Sequence, residues 1–267
     1  MNCTFKDPNL IKKIVDALES GVEILNLYVS TGGINVTATN SCHTDLRQLV
    51  LEAAWFESFT CTRDCVLGVN MPLLKKFMST AGPKDKITWY HTEGSRFFNI
   101  TIEGGGESKS IKDWTLFLVD FDEDALAPPP NPTFNVSFRV STVLVSEWIK
   151  DCKIIMGNID FGIEKDKHIT IKSESDIGVF EHKHAIPSVM ATVYQAEPSF
   201  TSERQRISNK EADHLNTMIK CAPGVDLQFH PSMPLCATSY LDSEQNSFIR
   251  IWIAPMAADD DFNSDED

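Results

Sequence analysis

At the midpoint of the chain lies the stretch Leu118-Val-Asp-Phe-Asp-Glu-Asp-Ala-Leu-Ala-Pro-Pro-Pro-Asn-Pro-Thr-Phe134. It carries four carboxylates within five residues, and four prolines follow them within a few positions. Because prolines donate no backbone hydrogen bond and hold the chain extended, neither a helix nor a central strand can pass through this stretch. A plain spacer has no need of the apolar residues Phe121, Leu126 and Phe134. We therefore interpret the stretch as a linker that is fastened to the surface of the two parts it connects.

The sequence on either side of this linker follows one order of elements: helix, strands, helix, strands. Apolar residues at helical spacing, flanked by capping and stop signals, predict four helices at Pro8–Ser20, Met71–Thr80, Thr142–Ile154 and Asn209–Lys220. The N-cap residues are expected to be Asp7, Asn70, Ser141 or Thr142, and Ser208, the last in a capping box with Glu211. The runs between the helices read as strands, including one over Phe59–Val66.

This repetition predicts two similar domains, residues 1–117 and 135–256, joined by the linker 118–134 and followed by an acidic, disordered tail at 257–267. Short helices that are apolar on one face, among many antiparallel strands, predict an α+β fold with the helices on one face of a curved sheet. The spacing of about 135 residues is too long for a solenoid repeat.

Composition excludes several classes of protein. The 267 residues have a formal net charge of -14, which disfavours casual adhesion to membranes or nucleic acid. No apolar run has the length needed to span a bilayer, and we expect no membrane partner. The seven cysteines form no CxxC pair, which predicts reduced thiols in a cytosolic or nuclear protein.

The exception to this acidic character lies on the predicted helices, each of which carries two lysines. Positive charge gathered on one face of an acidic chain predicts a polyanion at that face, bound without reading of base sequence. The candidate DNA-binding residues are Lys12, Lys13, Lys75, Lys76, Lys150, Lys153, Lys210 and Lys220.

No catalytic constellation is recognisable in the sequence, and we expect a protein that is not an enzyme. Nucleophile elbow, phosphate-binding loop and HExxH motif are all missing from the 267 residues. His182 and His184 share one face of a strand, but no third ligand stands nearby in sequence, so we expect no metal and no cofactor.

Several segments resemble the eukaryotic sliding clamp family, proliferating cell nuclear antigen. They run in order along essentially the whole chain and include Trp55-Phe-Glu-Ser-Phe-Thr-Cys61, Leu67-Gly-Val-Asn-Met71, Lys76-Phe-Met-Ser-Thr-Ala-Gly82, Leu118-Val-Asp-Phe-Asp122, Met233-Pro-Leu235 and Ile251-Trp-Ile-Ala-Pro255. The resemblance implies a homotrimeric ring with sheets outside and helices lining a hole for duplex DNA. Such a ring acts as a polymerase processivity factor and tethers the clamp loader and replication and repair enzymes in the nucleus, or at a viral replication site in the host cell.

The resemblance also implies where partners dock. The subunit seam would pair an edge strand at 109–115 with one around 176–180 of the next copy. Partner proteins would insert an aromatic-bearing short helix into a groove beside the linker. The positions that match this groove are His43, Leu46, Leu126, Met233, Pro234, Trp252, Ala254 and Pro255.

The chain departs from the family at several of these places. Thr39 and Thr44 stand where the family usually has apolar pocket residues. Acidic or neutral residues replace basic ones in the lining of the hole, at Glu19, Ser79, Glu147 and Asp213. Two alternatives therefore stay open: a subunit of a checkpoint-type heterotrimeric clamp, and an interaction scaffold that does not encircle DNA.

Overall fold

The structure is a computed structural model that describes residues 1–105, 110–120, 133–165, 167–186, 192–197 and 199–256. Most of the predicted linker (121–132), with Phe121 and Leu126, and the predicted acidic tail (257–267) lie outside the described residues.

The first part of the chain alternates short helices with antiparallel strands. Its elements are β1 (Asn2–Thr4), α1 (Pro8–Glu19), β2 (Ile24–Ser30), β3 (Gly33–Thr39), β4 (Asp45–Glu52), β5 (Ser58–Thr60), β6 (Cys65–Asn70), α2 (Met71–Ser79), β7 (Lys86–Tyr90), β8 (Phe97–Glu103) and β9 (Ile111–Phe117). A single 3₁₀ turn, Ala53–Trp55, joins β4 to β5.

The second part has the same order of elements. They are β10 (Val136–Ser141), α3 (Thr142–Ile155), β11 (Asn158–Glu164), β12 (His168–Ser175), β13 (Gly178–Ala185), β14 (Thr192–Ala196), β15 (Ser202–Ile207), α4 (Asn209–Ile219), β16 (Gly224–Phe229), β17 (Leu235–Tyr240) and β18 (Phe248–Ile253).

The strands lie in the same order within the sheets of both parts. The order β5-β1-β7-β8-β9 in the first part corresponds to β14-β10-β16-β17-β18 in the second, and β6-β2-β3-β4 corresponds to β15-β11-β12-β13. The two parts are joined because β4 pairs antiparallel with β18, with Leu46 opposite Trp252 and Gln48 opposite Arg250. This pairing makes one sheet of nine strands out of β14-β10-β16-β17-β18 and β4-β3-β2-β6.

The predicted α+β class is confirmed by four helices and many antiparallel strands among the described residues. All four helices begin where the sequence predicted and end within one residue of the predicted stop. The single strand predicted at 59–66 is wrong. The polar residues Thr62, Arg63 and Asp64 form an exposed break, where Arg63 pairs with Glu93, and β5 and β6 lie on either side. The short strands β1 and β15 were not predicted.

The helix caps explain these starts, with one correction. Asp7 accepts hydrogen bonds from the backbone N–H groups of Asn9 and Leu10, and Asn70 accepts one from Leu73. Neither Ser141 nor Thr142 caps α3 as predicted, because Ser141 makes no side-chain cap bond and the Thr142 hydroxyl donates instead to the carbonyl of Ala222, just beyond α4.

Packing places all four helices side by side. α1 packs against α2 and α4, and α4 packs against α3. Beneath them, buried apolar residues from both parts form one continuous core. Within the described residues, no helix is both long enough and apolar enough to cross a membrane.

A buried polar network ties α1 and α4 to the strand β4 at the junction. Arg47 is fully buried; it donates to both carboxylate oxygens of Asp45, at 3.1 and 2.9 Å, and to the carbonyls of Ala17 and Leu18 at the end of α1. From α4, Nδ1 of His214 lies 2.6 Å from Oδ2 of Asp45. A single buried carboxylate therefore links strand β4 to helices of both parts of the chain.

The Asp45 carboxyl is kept ionised by its partners. Burial, the largest single influence, raises its pKa, but the hydrogen bonds from His214 and Arg47 and their positive charges together outweigh burial, so the pKa lies below its ordinary value. Because this carboxyl has a depressed pKa in the folded state, its contribution to stability is present above its unfolded-state pKa of about 4 and is lost as the pH falls through the folded-state pKa.

We expect Asp45→Asn to lower the free energy of unfolding at pH 7 by about 3 kcal/mol, because the buried Arg47 loses its counter-charge. The difference from wild type should begin to shrink below about pH 4, where the unfolded-state carboxyl becomes protonated, and it should be smallest once the pH is below the depressed folded-state pKa. Urea unfolding followed by fluorescence at several pH values measures both effects. Asp64→Asn, at an exposed carboxylate, serves as the control; a constant difference between Asp45→Asn and wild type at all pH values would contradict the assignment.

Candidate functional site

Three of the eight candidate lysines converge on the helix face. Lys13 of α1, Lys150 of α3 and Lys220 at the end of α4 line one open depression of about 710 Å³. All three side chains are exposed, and within the described parts of the chain none of them forms an ion pair. Glu147 lines the same depression and reduces its positive charge.

Two other candidate lysines are neutralised by acids of the same face. Nζ of Lys75 lies 3.0 Å from Glu19 and 3.6 Å from Asp16, and the hydrogen bond to Glu19 raises the pKa of this lysine. Lys153 pairs in the same way with Asp213. The resemblance implies basic residues at the positions of Glu19 and Asp213, and here these acids pair with lysines of neighbouring helices.

The remaining three lysines lie in different surroundings. Lys12 donates to the carbonyl of Ala81 beyond the end of α2, and Lys76 is exposed on α2. Lys210 begins α4 on its other side, with Nζ 3.8 Å from Sγ of Cys42 in the β3–β4 loop. The eight predicted residues are therefore not one uniform set.

Three ammonium groups around an open depression attract anions without enclosing them. Such an arrangement suits the phosphates of an extended polyanion, bound through charge and released by salt, better than a small anion that needs a closed cavity.

A second candidate surface crosses the strand junction. Thr39, Leu46, Trp252 and Cys236 stand opposite one another on β3, β4, β18 and β17, so their side chains share one face. Phe134, which ends the predicted linker, packs on this row. We call the apolar group of Leu46, Phe134, Cys236 and Trp252 the docking cluster.

Burial defines the role of each member of this cluster. Trp252 is 3% exposed and Phe134 is 4% exposed, so both form a floor and neither projects from the surface. Leu46 is half-buried and remains accessible. The burial of Phe134 is what a linker fastened to the surface requires at its C-terminal end.

The other residues of the predicted groove form its rim. Ala254, Pro255 and His43 are exposed, and Met233 and Pro234 are half-buried. The register that places Leu235 opposite Ile253 brings Pro234 beside Ala254. Seven of the eight predicted positions are thus placed along one edge of the junction, and Leu126 lies outside the described residues.

The β3–β4 loop reaches this rim in a fixed conformation. His43 has a positive φ of 54°, and its Nδ1 is 3.2 Å from Oγ1 of Thr39. The carbonyl of Thr44 accepts a hydrogen bond from the N–H of Ala254, at 2.9 Å. The loop and the segment after β18 are therefore bonded to each other.

Sequence reasoning missed the polar network beneath this loop. A signal was available, since Asp45 and Arg47 lie on the same inward face of one strand as Leu49 and Leu51, and opposite charges on a face shared with core leucines indicate a buried ion pair. Within the described residues, no three histidine, cysteine or acidic side chains are grouped so that they could hold a metal ion.

Comparison with known protein families agrees with this arrangement. Residues 1–125 match the family model of the proliferating cell nuclear antigen N-terminal domain, a segment that contains α1, α2, β4 and the lysines Lys12, Lys13, Lys75 and Lys76. The resemblance noted in the sequence is thereby confirmed over residues 1–125, which are similar to the N-terminal domain of the proliferating cell nuclear antigen, the sliding-clamp family.

Proposed function

We propose that the chain is a DNA sliding clamp that closes as a homotrimer around duplex DNA and tethers DNA polymerase, the clamp loader and repair enzymes. In this function the protein is a processivity factor and scaffold that catalyses no reaction. It acts in the nucleus or at a viral replication site in the host cell.

The observation that carries this proposal is the repeated strand order. β18 ends the five-strand run of the second part and β4 ends the four-strand run of the first part, and the two strands pair within the chain. Their counterparts, β9 and β13, are edge strands, and no described strand pairs with their outer sides. A second copy can repeat the β18–β4 junction by pairing its β13 with β9 of the first.

The side chains at these edges favour such a pairing. Ile111 and Phe117 on β9 are 66% and 68% exposed; Ile177, which directly precedes β13, is 71% exposed, and Val179 in β13 is 59% exposed. Unpaired edges with exposed apolar residues are unfavourable in a monomer, and a head-to-tail interface removes them if the rotation closes. Closure with three copies rests on the family resemblance.

The two candidate surfaces have distinct tasks in this ring. The lysine-lined helix face binds phosphates without reading sequence, which allows sliding. The docking cluster accepts the helical peptides of partner proteins, and tethering raises their effective concentration on DNA.

One observation favours a second candidate, a scaffold that does not encircle DNA. Lys75 and Lys153 are neutralised by Glu19 and Asp213, which weakens the attraction of the helix face for phosphate. A heterotrimeric clamp subunit would instead have edges that pair only with different chains.

Topology of binding tests the proposal against these alternatives. A closed ring can thread onto a linear duplex over its ends but cannot reach a covalently closed circle without a loader. We expect chemical cross-linking to trap the protein on a linear plasmid and not on the same plasmid as a closed circle. Equal trapping on both forms would contradict encirclement.

Charge reversal at Lys13, Lys150 and Lys220 to Glu should weaken DNA binding and lower the slope of log affinity against log salt. If each lysine neutralises one phosphate, the slope should fall by roughly 0.9 per lysine. Fluorescence anisotropy with a labelled duplex measures the slope. The matched control reverses Lys84, Lys86 and Lys167, which carry the same charge but lie on no helix; an equal loss in both triple variants would assign binding to overall charge.

Replacing the exposed rim residue Pro255 by Asp should raise the Kd for an aromatic-bearing helical peptide by about tenfold, because a hydrated charge replaces an apolar contact. The thermal midpoint should stay within about two degrees of wild type, since Pro255 is exposed. Pro83→Asp, at an exposed proline after α2, is the control. Undiminished peptide affinity in Pro255→Asp would place the docking surface elsewhere.

A further inference from the structure

Helix α4 supports the β3–β4 loop from beneath through a carboxylate. Glu211, in the first turn of α4, is 8% exposed, and its Oε1 accepts a hydrogen bond of 2.8 Å from Oγ1 of Thr44. The sequence predicted that this carboxylate would complete a capping box. Ser208 does accept from the N–H of Glu211, but the Glu211 carboxylate is turned toward Thr44.

The bond to Thr44 belongs to a chain of contacts that ends at the docking rim. Thr44 Oγ1 also accepts from Nδ2 of Asn40, whose Oδ1 accepts from the N–H of Thr44. The carbonyl of Thr44 accepts a hydrogen bond from the N–H of Ala254, the residue before Pro255. Thr44 is thus hydrogen-bonded to α4 through its side chain and to the docking rim through its carbonyl.

A parallel contact reinforces this support one turn further along α4. His214 is bonded through Nδ1 to Asp45, the residue after Thr44, and Asn40 Nδ2 also donates to Asp45 at 3.2 Å. The loop between Asn40 and Asp45 is therefore held at both ends by polar groups of which α4 supplies two.

We propose that Glu211 and His214 are positioning residues of the docking surface, which couple α4, a helix of the DNA-facing side, to the rim where partner peptides bind. This inference rests on the proposed tethering function. Glu211 touches no peptide; it keeps Thr44, and through Thr44 the backbone of Ala254, in the conformation that receives one.

The energetics favour a specific role over incidental packing. A carboxylate that is more than nine-tenths buried is costly unless it is hydrogen-bonded, and no described cation pairs with Glu211. Removing one partner of a buried hydrogen bond leaves the other unsatisfied, so the loop would have to rearrange toward water.

Glu211→Ala tests the proposal in the full-length protein with two readouts. Hydrogen exchange should accelerate in residues 40–45 and 253–256 and stay unchanged in β7 and β8. The Kd for a fluorescein-labelled, aromatic-bearing helical peptide should rise by about three- to tenfold. Glu211→Gln keeps an acceptor for Thr44 and should restore both values close to wild type.

Thr142→Ala is the matched structural control. Its hydroxyl supports the opposite end of α4 through the carbonyl of Ala222 and is equally buried. It should lower the thermal midpoint as Glu211→Ala does, yet leave exchange at 40–45 and the peptide Kd unchanged.

The outcomes separate this inference from the proposed function. Accelerated exchange with weakened peptide binding, restored by Glu211→Gln, supports both. The positioning role is overturned if Glu211→Ala leaves either the exchange or the peptide Kd unchanged, or if Thr142→Ala weakens peptide binding equally. In each of these cases the proposed docking function still stands, provided that the wild-type protein binds the peptide. A wild-type protein that binds no peptide at all overturns the docking function and the positioning role with it, even if exchange at 40–45 accelerates.

Discussion

Antiparallel pairing of β4 with β18 is the contact on which the rest of the molecule depends. It joins a four-stranded sheet of the first part to a five-stranded sheet of the second and lets one core continue beneath both. The same pairing sets the order of the helices, since α1 and α4 meet across it. Because β9 and β13 correspond to β18 and β4 in the repeated order, the junction inside the chain is also the pattern for the junction that we propose between chains.

Both candidate surfaces are consequences of this junction. On one side, Lys13, Lys150 and Lys220 come together because α1, α3 and α4 are held side by side. On the other side, Leu46 and Trp252 meet because their strands pair in that register. The buried network of Asp45, Arg47 and His214 lies between the two surfaces, where a charge cluster costs stability if any partner is lost.

Local sequence signals were enough for the helices and for the repeated order, because caps such as Asp7 and Asn70 act within one turn. These local signals failed where the hydrogen-bond partner of a side chain is distant in sequence. The Thr142 hydroxyl turned to Ala222 and the Glu211 carboxylate to Thr44, and both partners are far away in sequence. The grouping of three lysines out of eight likewise depends on helix packing and on acids of neighbouring helices, which a list of lysines does not contain.

The mass of the protein in solution tests the central claim, that β9 and β13 edges of successive copies repeat the β4–β18 junction and close a ring. We would measure it by light scattering over a dilution series and repeat it with Val179→Asp, which places a charge on the β13 edge. The account predicts three times the 29.9 kDa chain mass for wild type, maintained at low concentration, and a smaller species for the variant. A wild-type monomer, or a trimer that Val179→Asp leaves intact, would contradict it.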